Sequence, residues 1–146
     1  MNEDQVIYNE IGKALWSIMP LHASVIYCLG RVYPETRQVG PEWIDKQGKV
    51  NRFNVDEHPI EICDKISNLA ISLQKLPPYK REPWTHFKFM LFPEGKFKME
   101  FSYIPQDDSW PGVFMRRVSD LTLEEAKNYY IPEGEWKKCI EKYKEI

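Results

Sequence analysis

Between Trp84 and Tyr103 the chain alternates apolar and polar residues with a period of two, WTHFKFMLFPEGKFKMEFSY. This pattern predicts a β-hairpin. A loop of Pro93, Glu94 and Gly95 pairs Leu91 with Phe97, Phe89 with Met99, Phe87 with Phe101 and Thr85 with Tyr103, which puts every large apolar side chain of both strands on one face. The same register sets Lys88 opposite Glu100 on the other face, and it asks Gly95 for the left-handed backbone that glycine adopts without steric cost. So broad an aromatic face needs helices from elsewhere in the chain to cover it.

Two stretches have the spacing for that cover. Val6, Ile7, Ile11, Ala14, Leu15 and Ile18 recur every three or four residues and predict an inward helical stripe over about 3–18, stopped by Pro20. Ile62, Cys63, Ile66, Leu69, Ala70, Leu73 and Leu76 do the same over about 60–76, after Pro59 and before Pro77-Pro78. This second stripe is the expected cover of the aromatic hairpin. Ala23 to Tyr33 is β-branched and aromatic and predicts a buried strand, with Gly30 as a candidate bulge. Runs at 42–45 and 50–53 flank Lys46-Gln47-Gly48-Lys49 as a second hairpin. Beyond Tyr103, IPQDDSWPG reads as a loop and Val113 to Val118 as one more strand. Thr122 and Glu125 form a capping box opening a short helix through Tyr130, and a last helix from Glu135 turns Trp136, Ile140 and Tyr143 inward. The predicted fold is α+β, a single domain over 1–146. An antiparallel sheet is built around the 84–103 hairpin and packed by the two amphipathic helices, with further helices at the C-terminus.

Charge and chemistry narrow the function classes. Twenty basic against 22 acidic residues give a net charge of −2, which excludes the strongly basic balance of a protein gripping nucleic acid over a wide surface. Cys28, Cys63 and Cys139 are far apart and without a C-x-x-C, so they read as small core residues in a reducing compartment. His22, His58 and His86 belong to no ligand pair; His58 reads as a residue of a helix start and His86 as a solvated or hydrogen-bonded strand residue beside Lys88 and Ser102. No metal, cofactor or nucleophile pattern stands out, no run reaches membrane-spanning length, and the acidic start lacks the features of a signal peptide. The expectation is a cytoplasmic protein without catalysis.

Carboxylates gather in predicted turns, among them Asp45, Asp56, Glu57, Asp107 and Asp108. A solvated surface explains such residues by itself. The functional alternative is an acidic face that steers a basic partner into place, with Trp110 as a buried anchor beside Asp107 and Asp108.

The hairpin residues W-T-x-F-x-F and G-K-F-x-M-x-F-x-Y, followed by an Asp-bearing loop and preceded by two amphipathic helices around a β-rich segment, resemble the YezG-like family of antitoxin or immunity proteins. The match rests on Trp84, Thr85, Phe87, Phe89, Gly95, Lys96, Phe97, Phe101, Tyr103 and Asp107. The chain departs from the pattern in PPYKREP and in Asp108 to Gly112. The resemblance implies a small cytoplasmic α+β protein that binds and neutralises the C-terminal domain of a polymorphic or contact-dependent growth inhibition toxin, often a basic nuclease. It implies no cofactor, no nucleic acid bound directly and no membrane partner, and it assigns no binding residue. An RNA-binding module is the alternative, since aromatic strands with Lys88, Lys96 and Lys98 suit base stacking where the aromatic face is open. A hydrolase using Asp107, Asp108 and a histidine is the third.

Overall fold

A computed structural model describes residues 3–81 and 83–144. The element order is α1 (Glu3–Ile18), β1 (Ala23–Val32), β2 (Arg37–Asp45), β3 (Val50–Arg52), α2 (Ile60–Gln74), α3 (Pro77–Lys80), β4 (His86–Leu91), β5 (Phe97–Ser102), α4 (Leu123–Asn128) and α5 (Glu133–Tyr143), with 3₁₀ turns at Val55–Glu57, Gln106–Asp108 and Val118–Asp120. Five antiparallel strands form one open sheet in the order β3-β2-β1-β4-β5. The fold is α+β.

The predicted hairpin stands in its predicted register. Leu91 faces Phe97, Phe89 faces Met99, Phe87 faces Phe101 and Lys88 faces Glu100. The loop closes through Phe92 N–H to Lys96 O (2.9 Å) and Gly95 N–H to Phe92 O (2.8 Å), with Gly95 at φ +93°. Pairing stops one step short of Thr85 and Tyr103. There the Thr85 hydroxyl takes over, accepting the Ile104 N–H at 2.8 Å, and Tyr103 turns out to solvent.

Register assigns the two faces of the sheet. Ile26, Cys28 and Gly30 of β1 are opposite Leu91, Phe89 and Phe87 of β4, so these residues share the front face. Helix α1 runs against β1 and β4, whereas α2 lies over β2 and beside α1. The cover of the hairpin is therefore shared between the helices instead of falling to α2 alone, and α3 adds Tyr79 at 5.6 Å from the Phe101 ring. Ile11, Leu15, Ile66, Leu73, Trp84, Phe87 and Phe89 are sealed in one core. Each such aliphatic or phenyl side chain contributes roughly 1.5–3 kcal/mol of transfer free energy.

Four expectations from the pattern are corrected. Val6 is nearly half exposed and lies off the buried stripe of α1. Gly30 is no bulge; the ladder irregularity falls between Ala23 and Val25, and Gly30 makes room for the Phe87 ring, which a β-carbon there would meet at 2.1 Å. Pro77 and Pro78 open α3 instead of merely ending α2, because proline fits a first turn. Residues 113–118 form no strand. Val113 makes an isolated bridge with Trp110, Met115 takes φ +62°, and the segment then enters a 3₁₀ turn.

Candidate functional site

The back face carries Tyr27, Leu29 and Arg31 of β1 opposite Met90, Lys88 and His86 of β4. At the Arg31 end it is covered by the segment after Tyr103. Tyr33 Oη donates to Ile104 O at 2.8 Å, Arg31 Nη1 donates to Ser109 Oγ at 3.3 Å, and Arg117 Nη2 donates to Tyr103 O at 3.1 Å. Val113, Val118, Leu121, Ala126, Ile131 and Cys139 pack beneath α4 and α5 into a second, smaller core, with Trp110 and Trp136 against it. Of the two expectations for His86, solvated or hydrogen-bonded, the second holds: the ring is buried and its Nδ1 lies 2.9 Å from Thr85 Oγ1. Its ring meets Tyr33 edge-on at 5.9 Å, and burial, aided by the Arg31 charge, lowers its pKa to about 4.

The six acidic and aromatic candidates separate once placed. Asp108 has no exposed surface, and its two oxygens accept the Ser119 N–H (2.9 Å) and Ser119 Oγ–H (2.6 Å), tying the loop to the turn that precedes α4. Asp107 is exposed but held by α5: Oδ2 pairs with Lys142 Nζ at 2.6 Å and Oδ1 accepts the Tyr143 hydroxyl. The Lys142 hydrogen bond keeps its carboxyl below the usual range. Trp110 is half-buried against the second core. Asp45 organises the β2–β3 turn, accepting N–H groups of Gln47 and Lys49 at 2.9 Å each and the Asn51 amide at 3.1 Å. Asp56 and Glu57 are exposed in their 3₁₀ turn, without an ion-pair partner among the described residues.

Asp45 and the Asp107 loop do not share a patch. Asp45 is level with Ala23 while Ser109 reaches Arg31, a separation of roughly 25 Å along one strand. Nor do Asp107 and Asp108 converge on a reacting centre, because one faces α5 and the other Ser119. Among the described residues no cluster of three or more His, Cys, Asp or Glu is placed to hold a metal ion. No described helix is long and apolar enough to cross a membrane. Phe87 and Phe89, the aromatics a base-stacking surface would need open, lie under helices.

The other end of the back face is open. A cleft of about 700 Å³ runs between Leu29, Gly40 and Arg52 of the sheet and Phe114, Tyr129 and Tyr130 near the end of α4. Its sheet wall is organised by charge: Arg52 Nε meets Glu42 Oε2 at 2.6 Å, and Lys88 Nζ sits 4.9 Å over the Tyr27 ring. Burial and a hydrogen bond with Glu42 push the Tyr27 hydroxyl up to about 12. Tyr129 and Tyr130, expected inside a helix running through Tyr130, stand instead at its exit, because α4 ends at Asn128.

Comparison with known families finds a match over most of the chain. The description "Immunity protein YezG-like" matches residues 5–118, which spans the whole sheet, α1 to α3 and the loop through Asp108. The chain belongs to the YezG-like family of immunity proteins, and its role is to counter a cognate toxin by binding it. No curated protein matches the chain.

Proposed function

We propose that this protein binds and neutralises the C-terminal nuclease domain of a polymorphic or contact-dependent growth inhibition toxin, acting in the cytoplasm as a stoichiometric inhibitor without catalysis of its own. Family membership carries the reading. A nuclease domain presents basic surface to hold phosphates, and an inhibitor that blocks it directly gains from carboxylates left free of internal partners. Asp56 and Glu57 meet that condition, and Asp107 meets it in part because its ion pair is solvent-exposed and exchangeable. Asp45 adds charge at the neighbouring turn. Asp108 and Trp110 contribute indirectly, by holding the Asp107 loop in shape, a patch separate from that of Asp45.

Neutralisation with almost no free toxin calls for nanomolar affinity, roughly −12 kcal/mol. The test is to look beside this gene for one encoding a large secreted protein and to co-express its C-terminal domain with this chain. Growth should be restored, and the purified pair should form a one-to-one complex with its nuclease activity suppressed. Toxicity undiminished by co-expression would sink the proposal. Within it, Asp56→Lys with Glu57→Lys should slow association and flatten its salt dependence; unchanged rates would remove these two residues from the interface.

A further inference from the structure

Helix α4 leaves its last turn through a Schellman motif: Ile131 N–H donates to Ala126 O (2.9 Å) and Tyr130 N–H to Lys127 O (3.0 Å). The C′ position of that motif requires a left-handed backbone and is ordinarily glycine. Here it is Tyr130, at φ +61° and 89% exposed. No hydrogen bond or ring contact of the Tyr130 side chain repays that conformation within the described chain. A large aromatic is thus held out at the rim of the open cleft at a cost to the backbone.

The opposite rim is equally unspent. Val55 is 96% exposed, and Asp56 and Glu57 follow it, between Phe53 and His58, which line the cleft. The floor is bare at Gly40, where an added β-carbon meets nothing within 4 Å. An aromatic rim, a floor left open at Gly40 between Leu29 and Pro41, and two carboxylates without internal partners are complementary to a protein loop that brings an apolar side chain flanked by lysine or arginine. One wall, the sheet, lies inside the family match, and α4 lies beyond it.

Resting on the immunity reading above, we infer that the cleft between the back of the sheet and the end of α4 is the toxin-docking site. Tyr130 is its aromatic anchor, Gly40 its floor, and Asp56 and Glu57 steer a basic, apolar-tipped loop of the toxin domain into it.

The probe is the catalytically inactivated form of the toxin domain that the co-expression test identifies, with affinity measured by calorimetry. Tyr130→Gly should keep or raise the melting temperature, because glycine suits the backbone there, while weakening binding about 30-fold or more. Gly40→Val, a residue that favours strands, should stay folded and weaken binding about tenfold by filling the floor. Trp16→Ala, which removes an exposed aromatic from α1, should bind as the parent does. If the parent binds and both cleft variants remain within twofold of it, the docking site is elsewhere and the immunity function stands. A loss confined to Trp16→Ala moves the site to α1. If the parent itself does not bind, the function falls with the site.

Discussion

On its front face the sheet presents Ile26, Phe87, Phe89 and Leu91 to two helices of about four turns each, whereas on its back Arg31 and His86 meet a segment of short turns. The front is closed by area, with rings stacked at 4.4 Å between Phe87 and Phe89. The back is closed by a few directed bonds, chiefly Asp108 to Ser119 and Tyr33 to Ile104, and only over half its length. Buried apolar area acts without direction and sets stability; hydrogen bonds need particular partners at particular angles and set shape. An interaction surface suits the second kind of support, because a cleft held by single bonds can change its rim without disturbing the main core.

Breaking the front should therefore cost most. Phe89→Ala should destabilise by about 3–5 kcal/mol in chemical denaturation, the usual cost of emptying a phenyl site in a core. A loss below about 1 kcal/mol would place the main core elsewhere. Leu69, half-buried on α2, should cost less when cut to alanine than the fully buried Leu73.

Next in size is the neutral histidine of the back. The folded pKa of His86, about 4, lies below the ordinary 6.5, so between these values the unfolded chain binds the extra proton. Stability is then complete above pH 6.5 and falls as the pH drops toward 4, by about 2 kcal/mol between pH 7 and 5. His86→Gln should flatten that slope. If denaturation midpoints of parent and variant move in parallel across this range, the ring is solvated after all.

Asp108→Ala leaves the buried Ser119 N–H without an acceptor, which costs about 1–3 kcal/mol, and its effect should concentrate in α4 and α5. Hydrogen exchange that quickens there and not in β1 or β4 would show that the back cover opens as its own unit. Asp107→Ala comes last. Its ion pair with Lys142 is solvent-exposed and Tyr143 is only half-buried, so the melting temperature should move by no more than about 1–2 °C. A large drop would make the α5 contact a structural pillar.

This contrast also explains what could be read from the residues alone. Helix α1 and the 84–103 hairpin were legible because each writes one period over many residues, and because only one loop length reconciles the two strands. The acidic loop was not. Asp107 and Asp108 are chemically identical neighbours, and only the tertiary position of Ser119 makes one buried and the other exposed. Val113 to Val118 has the composition of a strand but finds no partner edge, since Met115 bends it away. The exit of α4 was hidden for a related reason. A Schellman turn announces itself by glycine, and here tyrosine occupies the glycine place.

Gly30 decides how the chain finds its pairing. A slip of one residue between β1 and β4 would turn the apolar set toward water and is excluded by pattern. A slip of two preserves both faces, so hydrophobicity cannot forbid it. It would bring Cys28 or Val32 opposite Phe87 in place of Gly30, and the Phe87 ring lies where a β-carbon would be. The absent side chain thus acts as a keyhole that only one alignment of the two central strands can enter, and it guards the sheet against its nearest misfolded competitor.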